Sequence, residues 1–151
     1  MSDTSETTLG LYKLAVEMAD RVSARRGGAN QFYLTLETLI LGVPAAFELG
    51  DGGTGADAHL VSLSIVGILV AVVWWLQLRS YRSLNRAKFQ VILAIERDQL
   101  PLALFGDEWK HLKDAGVPGW RGRYAELGFV ESVVPGIFVL LQVLLLVGVG
   151  L

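Results

Sequence analysis

Cysteine is absent from this 151-residue chain. Disulfides and thiolate metal sites are therefore excluded, and cysteine usage is silent about redox compartment. Histidine is nearly absent: His59 and His111 are the only two, and they stand far apart. No His-His metal pair can form within one chain, and no cofactor or metal is expected. A charge excess of one sign is missing too. The net charge of −2 is too small to argue for a nucleic-acid partner. Residues 1 to 30 are polar and charged and lack an apolar core segment, so no secretory signal peptide is expected. The glycines at 50, 52, 53 and 55 are followed by no Lys-Ser/Thr and form no phosphate loop. Ser and Thr residues have no His-Asp companions at a suggestive spacing. The chain is not expected to be an enzyme.

What the chain has is apolar length: 52% of its residues are hydrophobic. Three runs stand out, about residues 31–49, 60–78 and 132–151. Each is close to the ~20 residues that a helix needs to cross a bilayer core. At about −0.3 to −0.6 kcal/mol for each Leu, Ile, Val or Phe, the second run gathers roughly −4 to −7 kcal/mol and the third somewhat more. The first gathers about −3 to −5, and the carboxylate of Glu37 removes ~2.5 to 3.5 of that. The first span therefore needs neighbours. Three buried helices of a soluble bundle are disfavoured, because no polar face interrupts runs two and three.

Lys and Arg are missing from the connector between Val43 and His59, which carries Glu48, Asp51 and Asp57. All thirteen basic residues lie in 1–30 or 79–123. The positive-inside rule puts both of those regions in the cytoplasm, the acidic loop outside, and the C-terminus outside. Arg25, Arg26 and Arg79 flank spans, and Trp74, Trp75 and Trp120 are expected as interfacial anchors.

The expected fold class is an all-α membrane protein. Residues 1–30 form a cytoplasmic amphipathic helix, 31–49 the first span, 50–59 an extracytoplasmic acidic loop, and 60–78 the second span. Residues 79–131 form a cytoplasmic helical region, and 132–151 the third span. In the first helix Leu11, Leu14, Ala15, Val16, Met18 and Val22 share a broad apolar face, and Gly27-Gly28 is expected to end it. Its polar face is mixed in sign, which favours packing on protein over lying on lipid. From Trp74 onward no Gly or Pro occurs before Pro101, so one helix is expected from about Leu60 to Leu100, about 60 Å at 1.5 Å per residue. The stripe Tyr81, Leu84, Ala87, Val91 and Ile95 must be buried against the first helix, the next segment or another subunit. Asp107 is expected to cap a short helix, and Pro135 to fall in the first turn of span three.

The polar residues inside the spans carry the functional question. On a helical wheel Asn30, Pro44 and Glu48 lie near Glu37 and make a polar edge along span one. Glu37 can snorkel or meet Arg79. Alternatively, copies of span one surround a water-filled path, with carboxylate rings at Glu37 and Glu48 that favour cations. Three spans cannot enclose a conduit, so that reading needs a homo-oligomer. Gln142, mid-span three, is expected to make an interhelical hydrogen bond. Small-residue ridges run along Thr38, Gly42 and Ala46 and along Ser64, Gly67 and Ala71.

Two stretches, "LYKLAVEMADRVSARRGGANQFYLTLETLI" and "WWLQLRSYRSLNRAKFQVILAIERDQLPLALFGDEWKHL", resemble the RipA family of small bacterial integral membrane proteins, described as octameric. The resemblance covers most of residues 11–112. It implies a bacterial inner-membrane homo-oligomer of eight copies and carries over no catalytic residue. The Arg-Arg pair before span one is also similar to two-span membrane modules of bacterial defence systems, from which the third span departs. The expectation is a homo-oligomer in the lipid bilayer, channel-like or pore-like with a cytoplasmic helical collar. The alternative is a non-conducting scaffold that recruits a cytoplasmic protein partner.

Overall fold

The computed structural model describes residues 2–48, 56–114 and 127–150. Four helices account for nearly all of them, and no strand occurs among the described residues: α1 (Ser2–Glu48), α2 (Ala56–Gln99), α3 (Leu104–Asp114) and α4 (Leu127–Gly150). The chain divides into two compact units. A polar unit comprises Met1–Arg26 with Ser80–Leu127, and an apolar unit comprises Gly27–Arg79 with Gly128–Leu151.

α1 is a single helix and does not stop at Gly27-Gly28. A glycine inside a helix costs about 1 kcal/mol relative to alanine, less than the hydrogen-bond ladder and the packing on either side supply. A Cβ at either glycine would meet nothing, so no close approach demands them. α2 runs unbroken as its lack of Gly and Pro beyond Gly67 implies. α4 starts at Leu127, earlier than the third apolar run, so Pro135 lies inside the helix and not in its first turn. Its missing N–H and ring are accommodated in a buried position.

In the polar unit, α1 and α2 run antiparallel: Thr8 Oγ1 donates to Gln99 Oε1 (3.2 Å) and Tyr12 Oη to Glu96 Oε1 (2.8 Å). Tyr12, Ala19 and Ile92 form the core, with Ala15, Val16, Phe89, Ile95, Leu100 and Phe105 against it. Phe89 and Phe105 meet edge to face at 5.8 Å, which docks α3. The broad apolar face of α1 is therefore split. Ala15, Val16 and Val22 turn inward, whereas Leu11, Leu14 and Met18 stay exposed. The α2 stripe divides in the same way: Ile95 joins the core, and Leu84 and Val91 remain exposed.

The apolar unit is built on Trp74, which is almost fully buried with Ile40, Ala71 and Leu78. Tyr33 stacks on it at 5.9 Å, Phe138 leans on it at 6.0 Å, and its Nε1 donates to Asn30 Oδ1 (3.1 Å). Among the described residues, two helices are long and apolar enough to cross a membrane, Asp57–Gln99 and Glu131–Val149. Little of either apolar stretch is buried within the chain, unlike the core helices of a soluble protein. The apolar part of α1 is not among them.

Candidate functional site

Among the described residues, the apolar unit holds three buried polar side chains where aliphatic ones are the norm: Glu37 on α1, Ser64 on α2 and Gln142 on α4. Glu37 and Gln142 are both 0% exposed. Their chemistry is unfinished. Neither carboxylate oxygen of Glu37 and neither polar atom of the Gln142 carboxamide has a partner in good hydrogen-bond geometry. Gln142 is nonetheless the polar neighbour of Glu37, near enough for its amide to bear on the carboxylate. The two groups face each other without a closed hydrogen bond.

Gly67 makes this arrangement possible. A Cβ there would run into the side-chain amide of Gln142, with Cδ only 2.6 Å away. Real Cβ atoms do not approach so closely, so α2 must offer bare backbone where Gln142 lies. The Ser64, Gly67, Ala71 ridge is thereby used inside the protomer, and all three residues are buried. The Thr38, Gly42 ridge of α1 is not. Both residues are exposed, and the Thr38 hydroxyl donates to the Leu34 carbonyl of its own helix (2.7 Å).

The structure redistributes the other residues expected at the site. Glu37 makes no hydrogen bond to Arg79, and within the protomer it is fully enclosed by its own chain's helices. Asn30 is the acceptor for Trp74. Glu48 ends α1, and its side chain, like Trp120, lies outside the described residues. Trp74 is a core residue and not a headgroup anchor. Trp75 is the exposed member of the pair, with the Arg79 guanidinium 5.6 Å from its ring centroid. Arg25 is exposed and Arg26 half-buried.

A second polar centre went unread in the sequence. Glu96 on α2 is 2% exposed and accepts three hydrogen bonds. Tyr12 Oη and the Phe105 N–H (3.0 Å) reach Oε1, and the Gly106 N–H (3.1 Å) reaches Oε2. Phe105 and Gly106 are the second and third residues of α3, whose N–H groups a capping side chain normally satisfies. The residue before α3 is Ala103, which has no side-chain acceptor, so Glu96 caps α3 from another helix. Asp107 is not the cap. It lies inside α3 and pairs with Lys110 (3.0 Å), while its N–H donates to the Ala103 carbonyl (2.8 Å). Burial, then the Glu96 hydrogen bond and charge, push the Tyr12 phenol up to about 12 from its ordinary 10. Among the described residues no group of three His, Asp or Glu side chains could hold a metal ion.

A model of the octameric membrane protein family (8xMP) matches residues 9–151. No curated protein and no solved structure matches the chain.

Proposed function

The chain belongs to the octameric membrane protein family, and from that premise we propose that it forms a channel-like assembly in the bacterial inner membrane, with Glu37 as the ion-interacting group of each protomer. In this reading α1 crosses the bilayer beside α2 and α4, the N-terminus and the polar unit are cytoplasmic, and the polar helices form a collar. The family supplies the homo-oligomer. One observation carries the rest: a fully buried carboxylate with two unpartnered oxygens, in the unit that holds both strongly apolar helices. An ionisable residue at such a depth is costly and marks an ion or proton route by default.

The position of Glu37 changes what such a path is. A hydrated metal ion needs a water-filled bore, which helices packed as closely as Gly67 on Gln142 do not leave. A proton needs only polar groups within reach. The proton is therefore the cation this site suits, with Gln142 as the neighbouring donor and acceptor. No catalytic chemistry belongs to this reading. Planar-bilayer recording of the purified protein tests it. Conductance that rises with proton concentration and is abolished in Glu37→Gln is expected; a silent protein, or unchanged conductance in the variant, defeats it.

A second reading, a non-conducting scaffold, is favoured by the exposed Leu11, Leu14, Met18, Leu84 and Val91 of the polar unit, which ask for a protein cover. A stoichiometric cytoplasmic partner copurifying with the wild type would support it.

A further inference from the structure

The exposed apolar residues of the polar unit have an order. At about 100° per residue, the row of α1 that meets α2 is centred on Tyr12 and Ala19, and Leu11, Leu14 and Met18 lie to one side of it. On α2 the row centred on Ile92 meets α1, and Leu84 and Val91 lie about 80 to 100° to one side. Phe89 and Glu96, which hold α3, lie to the other side. Because the helices are antiparallel, both exposed rows fall on the same side of the pair, away from α3. They make one apolar face. Two further leucines, Leu102 and Leu104, are exposed on the α3 side, 69% and 65%.

The two surfaces also share a level along the helices. Thr8 opposes Gln99 and Tyr12 opposes Glu96, so Leu11 and Leu14 stand at the end of α2 that leads into Leu102 and Leu104. A closed ring of identical subunits needs two unlike, complementary surfaces at one level, because cyclic symmetry adds no axial shift. This unit has such a pair. The occupant is a second copy of the chain: the family is octameric, and the face is bordered by the exposed Glu17–Arg21 ion pair, a mixed-sign rim that suits protein better than an anionic lipid surface.

We propose that in the assembled ring the part of this face formed by Leu11, Leu14, Met18 and Val91 of one copy covers Leu102 and Leu104 of the next. The inference rests on the family's homo-oligomeric assembly and not on conduction.

The absence of cysteine makes the test direct. The full-length chain carrying Leu14→Cys and Leu104→Cys together is oxidised in mild detergent. A covalent ladder reaching eight copies is expected, with no ladder from either single variant or from Lys13→Cys paired with Leu104→Cys. In addition, Met18→Glu is expected to lower the copy number measured by native mass while helix content is unchanged. An intact octamer without a ladder overturns the interface and leaves the assembly standing. A monomeric wild type overturns both. Dimers from Leu14→Cys alone reveal a two-fold contact and overturn the proposal. Protection of Leu14→Cys from a soluble maleimide only when liposomes are added assigns the face to lipid and does the same.

Discussion

Replacing Glu96 by Gln should loosen α3 without disturbing the rest of the polar unit. The substitution keeps the size and one carbonyl oxygen, but it removes the charge and turns one acceptor into a donor. In the best case the remaining oxygen still takes the Tyr12 and Phe105 bonds, and the new NH₂ faces the Gly106 N–H. Two bonds then lose charge assistance, falling from about 1.5–3 kcal/mol toward about 0.5–1.5 each, and a buried N–H is left without an acceptor, at about 1–3 kcal/mol. The local loss is about 2–5 kcal/mol. Amide exchange reports local opening in the same free-energy units, so α3 should exchange about 30- to 5,000-fold faster, up to the unprotected limit. Hydrogen–deuterium exchange of the peptide covering residues 100–114, compared with one covering the Tyr12 turn of α1, reads this out. Tyr12→Phe leaves both α3 N–H bonds to Glu96 in place and should accelerate α3 less than Glu96→Gln does. Unchanged α3 exchange in Glu96→Gln would refute the cross-helix cap.

Three further outcomes are expected. Gly67→Ala should destabilise the apolar unit by about 1–3 kcal/mol through collision with Gln142, seen as a lower thermal midpoint in detergent, and Gln142→Ala should relieve most of it in the double variant. Asn30→Ala should strip the buried Trp74 indole of its acceptor and cost about 1–3 kcal/mol by the same measurement, whereas Asn30→Asp should cost less. Tyr12, pushed up in the folded state, should add stability that is fully present below pH ~10 and lost as pH rises through about 12, where the folded phenol ionises; Tyr12→Phe should remove that step from a pH titration of unfolding.

Much of this architecture could be read from residue order, and the failures have physical causes. The unbroken α2, expected from about Leu60 to Leu100 and found from Ala56 to Gln99, is legible because no proline or further glycine intervenes after Gly67, and helix formation is local. The Glu17–Arg21 pair forms at 2.6 Å because i,i+4 spacing alone brings the groups together. The continuity of α1 through Gly27-Gly28 was hidden, since a glycine pair records a weakness and not whether packing overcomes it. Trp74 looked like a belt residue because hydropathy cannot tell the lipid side of a helix from the protein side. Its neighbour Trp75, one residue on, takes the exposed side. Glu37 and Gln142 were each singled out as polar groups within apolar runs. Their proximity depends on how three helices pack, which no spacing within one helix encodes. Glu96 gave no signal at all, because a glutamate among charged neighbours reads as a solvated face until α3 folds over it.

Glu37 is intramembrane only if α1 crosses the bilayer. Lys13 and Asp57 are exposed and lie on either side of the apolar part of α1. Single cysteines at these two positions, labelled with a membrane-impermeant maleimide on intact spheroplasts and on inverted vesicles, locate both ends. The expected result is Asp57→Cys labelled only from outside and Lys13→Cys only from the cytoplasmic side; labelling of both from the same side would contradict it.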